Sequence, residues 1–214
     1  MPPRYLLFDH DGVLVDTERW YFEATRTALA GLGVALSEAT YLEWMADGRP
    51  CWGLALERGA SEAEVAAARE ARNDLYRDLL AREAVEIEGV GEVLAELAAR
   101  HRMGIVTTSR RTDFELVQRG RGLVDHFEFV ITVEDVARAK PHPEPYLAGL
   151  ARFGARPEEA LVVEDSSRGL AAAHAAGIAC LVVRNAFTAP QDFGLAWRVV
   201  DSIRDVPEAV RARP

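Results

Sequence analysis

Four short segments of the chain carry side chains suited to chemistry. Asp9-His10-Asp11-Gly12 follows the apolar run Tyr5-Leu6-Leu7-Phe8, and Thr107-Thr108-Ser109 follows Met103-Gly104-Ile105-Val106. Glu164-Asp165 follows Ala160-Leu161-Val162-Val163. The fourth segment begins at Lys140, the only lysine among 25 lysine and arginine residues. Carboxylates carry protons, attack electrophiles or ligate hard cations. Hydroxyls and an ammonium group suit an anion. Each group also has an ordinary use, since a carboxylate at a strand end caps the next helix and lysines are usually solvated. What sets these apart is their convergence on strand ends. A lone lysine in an arginine-rich chain marks a place where a planar, forked guanidinium does not serve.

The elements that position these groups follow from the apolar pattern. The runs before Asp9, Thr107 and Glu164 read as buried strands, as do Phe129-Val130-Ile131, Cys180-Leu181-Val182-Val183 and Val199-Val200. Near-continuous apolar strands indicate a sheet covered on both faces. Helical patterns fill the gaps at 90–100, 112–120, 144–153 and 167–176. Pro145 in a first turn and Gly154 and Gly177 past helix ends act as start and stop signals. Strand, helix and strand in succession predict right-handed crossovers and an open parallel sheet, with ligands bound beyond its carboxyl ends.

Residues 16–84 break this rhythm. They show no strand signal and read as helices over 17–31, 37–45 and 61–84, separated by Gly31-Leu32-Gly33, Asp47-Gly48-Arg49-Pro50 and Gly59. The expected organisation is a catalytic core of residues 1–15 and 86–214, with an α-helical domain of residues 16–85 inserted after the first strand.

Composition excludes several classes. The net charge is −9, with no basic patch or tail for nucleic acid. In such a field an anion needs locally concentrated positive charge. Cys51 and Cys180 form no CxxC or zinc spacing and read as buried, reduced thiols. The first residues do not read as a signal peptide, and no apolar stretch reaches the roughly 18 residues of a membrane span. A cytoplasmic monomer without membrane or nucleic-acid partners is expected.

The segment Phe8-Asp9-His10-Asp11-Gly12-Val13-Leu14-Val15-Asp16-Thr17-Glu18 resembles the first signature of the haloacid dehalogenase superfamily. The branch it resembles holds small phosphatases and β-phosphoglucomutases with a helical cap. Thr107, Lys140-Pro141-His142-Pro143-Glu144-Pro145-Tyr146 and Val162-Val163-Glu164-Asp165-Ser166 match the other three motifs in order, so the resemblance covers nearly the whole chain. It implies a three-layer, Rossmann-like α/β core with strand order 5-4-1-2-3 and a site in the cleft between core and cap.

The resemblance also implies roles. Asp9 is the covalent nucleophile, Asp11 the acid/base partner, Thr107 and Lys140 the further catalytic residues. Thr108 and Ser109 offer backbone N–H groups to the phosphate. Asp9, the Asp11 carbonyl and Asp165 ligate Mg²⁺, with Glu164 nearby or bound through water. The implied reaction is Mg²⁺-dependent hydrolysis of a small phosphorylated metabolite, of sugar phosphate or phosphoglycolate type, through an aspartyl phosphate. Dehalogenases resemble the chain less, because they lack the second aspartate, here Asp11. Phosphonate cleavage needs a cap lysine, and residues 16–84 contain none. The alternatives are a phosphosugar mutase, disfavoured because Tyr21 stands where those enzymes carry a histidine, and a non-catalytic phosphate-binding regulator. Substrate selection is expected from Glu18, Tyr21 and Arg49, with Arg110 beside the phosphate loop. Trp44 and Trp52 read as cap core. His10 is expected to point away from the aspartates that flank it.

Overall fold

The structure, a computed structural model, describes residues 3–46 and 49–213; the expected Asp47-Gly48 break lies outside them. In chain order the elements are β1 (Tyr5–Phe8), α1 (Glu18–Ala30), α2 (Glu38–Ala46), α3 (Gly53–Glu57), α4 (Glu62–Arg82), α5 (Val90–Ala98), β2 (Arg102–Val106), α6 (Arg111–Gln118), β3 (Val130–Ile131), α7 (Glu144–Phe153), β4 (Ala160–Glu164), α8 (Ser167–Ala175), β5 (Ala179–Val183), β6 (Arg198–Val200) and α9 (Val206–Arg211). They form two compact units, one of Met1–Asp16 with Glu86–Pro214 and one of Thr17–Val85.

The first unit is a parallel α/β sheet in the order β3-β2-β1-β4-β5-β6. The first five strands take the expected order 5-4-1-2-3, and the strand expected at Val199-Val200 is β6, which joins beside β5 as an edge and is largely exposed rather than buried. Successive strand residues face opposite ways, which divides the apolar runs between two cores. Leu6, Phe8, Ile105, Leu161 and Val163 pack with Leu94 of α5, Phe114 of α6 and Val210 of α9. On the other face Leu7, Val162 and Val182 pack with Tyr146 and Leu150 of α7 and Leu170 of α8. Each large apolar side chain so buried contributes about 1.5–3 kcal/mol. Phe8 pairs with Ile105 on one side and Val163 on the other, so β1 ends between β2 and β4. That central position places Asp9 and Asp11 between groups from both neighbours.

The second unit is helical. Phe22 and Leu29 of α1 and Val65 and Leu80 of α4 are buried within it. Ser61 starts α4 with a capping box: its Oγ accepts from the Glu64 N–H at 3.3 Å, and its own N–H donates to Glu64 Oε2 at 2.8 Å. The short helices α3 and α9 have five and six residues, too few for a helical period to show in sequence. Among the described residues no helix is long and apolar enough to cross a membrane.

Candidate active site

The turn after β1 is built around one carbonyl. His10 O accepts from the N–H groups of Val13, Leu14 and Val15 at 3.4, 2.8 and 3.2 Å, and Gly12 N–H donates to Val15 O at 2.7 Å. Gly12 takes a φ of +80°, and a Cβ there would lie 2.1 Å from Asp165 Oδ2. Glycine is thus required both by the backbone and by the close approach of a carboxylate. Asp9 continues the sheet through its N–H, which donates to Val163 O at 2.8 Å.

Lys140 reaches this turn from the loop after β3. Its ammonium donates to Asp9 Oδ1 at 2.8 Å, Val106 O at 2.8 Å and Glu164 Oε1 at 2.7 Å. Its side chain is 3% exposed and that of Glu164 is 0% exposed. Glu164 accepts further: Tyr146 OH donates to Oε1 at 2.8 Å, while the Asp165 and Ser166 N–H groups and Ser166 Oγ donate to Oε2 at 3.0, 3.1 and 3.0 Å. The first turn of α8 presses on this carboxylate, since a Cβ at Gly169 would lie 1.7 Å from Glu164 Oε1.

The electrostatics divide the two carboxylates that share Lys140. Burial raises the Glu164 value, but the Lys140 charge and the donors around Glu164 outweigh it and hold it below its ordinary range. Burial, and then the charge of Glu164, push Asp9 up to about 6 against the partial relief of Lys140. Burial alone would lower the Lys140 value; Asp9 and then Glu164 overcome this and raise it. Burial and the Glu164 charge raise the Tyr146 phenol well above its usual range, so it remains a donor. The site therefore holds an ammonium between a committed carboxylate and one whose ionised form it compensates only in part.

That missing compensation fits a hard cation. One oxygen each from Asp9, Glu164 and Asp165 lies within 4.8 Å of the others. An all-oxygen donor set suits Mg²⁺. Asp165 is oriented by Asn185, whose Nδ2 donates to Asp165 Oδ2 at 2.8 Å and lies 3.4 Å from Gly12 O. Asn185 is itself fixed, its Oδ1 accepting from the Phe187 and Thr188 N–H groups at 3.0 Å each. The sequence reading missed Asn185. It stands just beyond β5, and the rule that ligands bind past strand ends would have reached it had it been applied to that strand.

Asp11 faces the end of β2. Its Oδ2 accepts from Ser109 Oγ at 2.5 Å and from Thr107 Oγ1 at 3.3 Å. Ser109 departs from expectation: its N–H is turned back to Thr107 Oγ1 at 3.0 Å, closing a local turn, and its hydroxyl holds Asp11. Thr108 is half-buried, with Arg168 Nη2 3.4 Å from its Oγ1, and Arg110 is exposed at the start of α6. His10 also departs from expectation. Its ring is buried, and Nδ1 lies 3.3 Å from Asp11 Oδ2 rather than pointing away. His142 serves its own loop, Nδ1 accepting from the Glu144 N–H at 3.1 Å.

The candidates in the second unit are engaged within it. Glu18 accepts a short hydrogen bond from Tyr41 OH. Tyr21 packs edge-on to Tyr76 and lies under the buried Arg72, whose guanidinium is 4.2 Å from its ring centre. Arg49 covers the Trp44 ring at 4.4 Å and lies 3.8 Å from Glu43. Trp52 is buried, as core residues are.

The fold is a parallel α/β sheet with its cluster of acidic and polar groups at the carboxyl ends of the strands, where such sheets bind ligands. Residues 6–183 match the haloacid dehalogenase-like hydrolases, and the chain belongs to that family. It is 30% identical to protein CbbY of Rhodobacter capsulatus, with 100% of both chains covered. The phosphoglycolate phosphatase of Nitrosococcus oceani is 32% identical over 84% of each protein. A crystal structure of a CbbY variant from Rhodobacter sphaeroides in complex with xylulose-(1,5)bisphosphate superposes with a TM-score of 0.78 at 26% identity, covering 94% of this chain and 95% of that one.

Proposed function

We propose that the chain hydrolyses a small phosphorylated metabolite, with Asp9 as nucleophile, Asp11 as acid and base, and Mg²⁺ as cofactor. The observation that carries this reading is Lys140 bound at once to Asp9 and Glu164 beside Asp165, a nucleophilic carboxylate set between an ammonium group and an acidic cluster. The relatives named above, a phosphoglycolate phosphatase and a CbbY with a bound sugar bisphosphate, support a substrate of that class.

In the first step an Asp9 carboxylate oxygen attacks phosphorus, the bond from phosphorus to the leaving oxygen breaks, and Asp11 gives that oxygen a proton. In the second, Asp11 takes a proton from water as the water oxygen attacks phosphorus, and the bond to Asp9 breaks to release phosphate. Splitting one displacement into two lowers the barrier to each. Lys140 and Thr107 stabilise charge on the transferring group, the dominant demand in phosphoryl transfer. Asp9, Asp165 and the Asp11 carbonyl would hold Mg²⁺, with Glu164 beside it. The ion would supply positive charge where several carboxylates and a phosphate meet. Residues 16–85 are proposed to act as the specificity cap, with Glu18, Tyr21 and Arg49 as selecting residues and Arg110 contributing from the phosphate loop.

A screen of phosphorylated metabolites with and without Mg²⁺, run beside Asp9→Asn, tests this. Phosphate release that needs Mg²⁺ and vanishes in Asp9→Asn is expected. Release by Asp9→Asn at the wild-type rate, or no release from any ester, refutes the proposal. β-Glucose 1-phosphate with a bisphosphate primer belongs in the screen, because isomerisation there identifies a mutase.

A further inference from the structure

His10 is the one polar side chain of the turn after β1 that the mechanism above does not use. Its side chain is 1% exposed. It stacks at 4.7 Å and 56° against Phe114 of α6. One helical turn further along α6, Gln118 places its amide nitrogen 2.7 Å from His10 Nε2. On the other side of the ring, Nδ1 lies 3.3 Å from Asp11 Oδ2. Gln118 is itself buried, and among the described residues its Oε1 is the one buried side-chain polar atom without a hydrogen-bond partner.

A carboxylate oxygen 3.3 Å from Nδ1 calls for the ring proton on Nδ1, and Nε2 then accepts from the Gln118 amide nitrogen. Nδ1–H then donates to Asp11 Oδ2, which also accepts from Ser109 Oγ and Thr107 Oγ1. With His10 and Ser109 donating to it even when Thr107 serves the transferring group, Oδ2 acts as an acceptor. The proton that Asp11 gives to a leaving group is then carried on Oδ1.

We propose that His10, its ring held at Nε2 by Gln118, is a positioning residue for Asp11: it keeps Oδ2 as the acceptor oxygen and so directs Oδ1 to the proton transfer. This rests on the phosphatase reading. It predicts an effect confined to steps in which Asp11 acts, and largest where the leaving oxygen most needs a proton.

The test compares kcat/KM over substituted phenyl phosphates from p-nitrophenyl to p-methoxyphenyl, for wild type, His10→Asn, His10→Gln and Gln118→Leu. This parameter reports the step in which the leaving group departs. Asparagine places its amide nitrogen where Nδ1 stands, whereas glutamine places it where Nε2 stands. His10→Gln is expected to lose about 10-fold or more on p-methoxyphenyl phosphate and no more than about 3-fold on p-nitrophenyl phosphate. His10→Asn should keep the wild-type dependence on leaving group, and Gln118→Leu, which leaves the ring in place, should steepen it in part. Thermal unfolding identifies any variant that fails to fold, and the remaining variants then decide. Equal losses across the series, or a slope in His10→Asn as steep as in His10→Gln, would overturn the inference alone. No phosphate release by the wild type would overturn the phosphatase reading and this inference with it.

Discussion

Lys140 commits each of its three N–H groups to a different acceptor, one of them a main-chain carbonyl. Arginine is larger and planar, and in a close-packed pocket it cannot place donors on all three without displacing Asp9 or Glu164. Lys140→Arg is therefore expected to lower the rate of phosphate release by on the order of 10²-fold or more. Steady-state release at saturating Mg²⁺ measures this, and unimpaired turnover would dispose of the argument from the lone lysine. The singularity of Lys140 was legible in the sequence, and family resemblance set it beside Asp9; its contacts with Glu164, 24 residues away, and Val106 O, 34 away, were not. His10 shows the opposite failure. Its neighbours in sequence suggested that it faced away, but the direction of its ring is set by Phe114 and Gln118, the latter 108 residues distant.

The turn after β1 does at the scale of an element what Lys140 does at that of a residue: it brings parts of distant segments within reach of one another. Gly12 is where it touches the cluster, since a methyl group there would overlap Asp165 Oδ2 and come within 3.0 Å of Asn185 Nδ2. Gly12→Ala must relieve the overlap by moving Asp165, and it also holds a φ that L residues resist. The expected result is a folded protein whose Mg²⁺ requirement for half-maximal activity rises about 10–100-fold, the range found when a ligand loses its orientation. An unchanged Mg²⁺ requirement would separate Asp165 from the metal. The strands themselves were legible, because a sheet buried on both faces leaves continuous apolar runs, and the polar residues ending those runs mark the site. Asn185 escaped because a single amide after β5 looks like any loop residue until Asp165 is seen against it. Ser109 escaped in part, since only the turn reveals that its N–H serves Thr107.

Over the molecule as a whole, the chain carries a net charge of −9 and still gathers Asp9, Glu164 and Asp165 in one cluster, with a single ammonium on the first two. The helical unit was legible as a block without strands, but which of its residues would select a substrate was not. Tyr21 and Arg49 make aromatic contacts with Arg72 and Trp44 of their own unit, and sequence spacing does not separate such packing from substrate contact. The acidic cluster, by contrast, links catalysis to stability. Without metal, burial and Glu164 raise Asp9 from an ordinary 3.8 to about 6. A carboxyl whose folded value lies above its unfolded one stabilises the protein fully below about pH 4, and that contribution is lost as pH rises through about 6. A divalent cation favours ionised Asp9 and releases its proton, so Mg²⁺ binds more weakly below about pH 6 than above it. Mg²⁺ at about 100 times its Kd near pH 7.5 should raise the Tm by about 5–10 °C. The same Mg²⁺ concentration should raise it much less near pH 5. Thermal unfolding across this range, with and without Mg²⁺, measures the difference. A Tm increment independent of pH would show that Asp9 does not titrate against the metal, whereas an increment lost in Asp9→Asn at pH 7.5 would locate the linkage at the nucleophile.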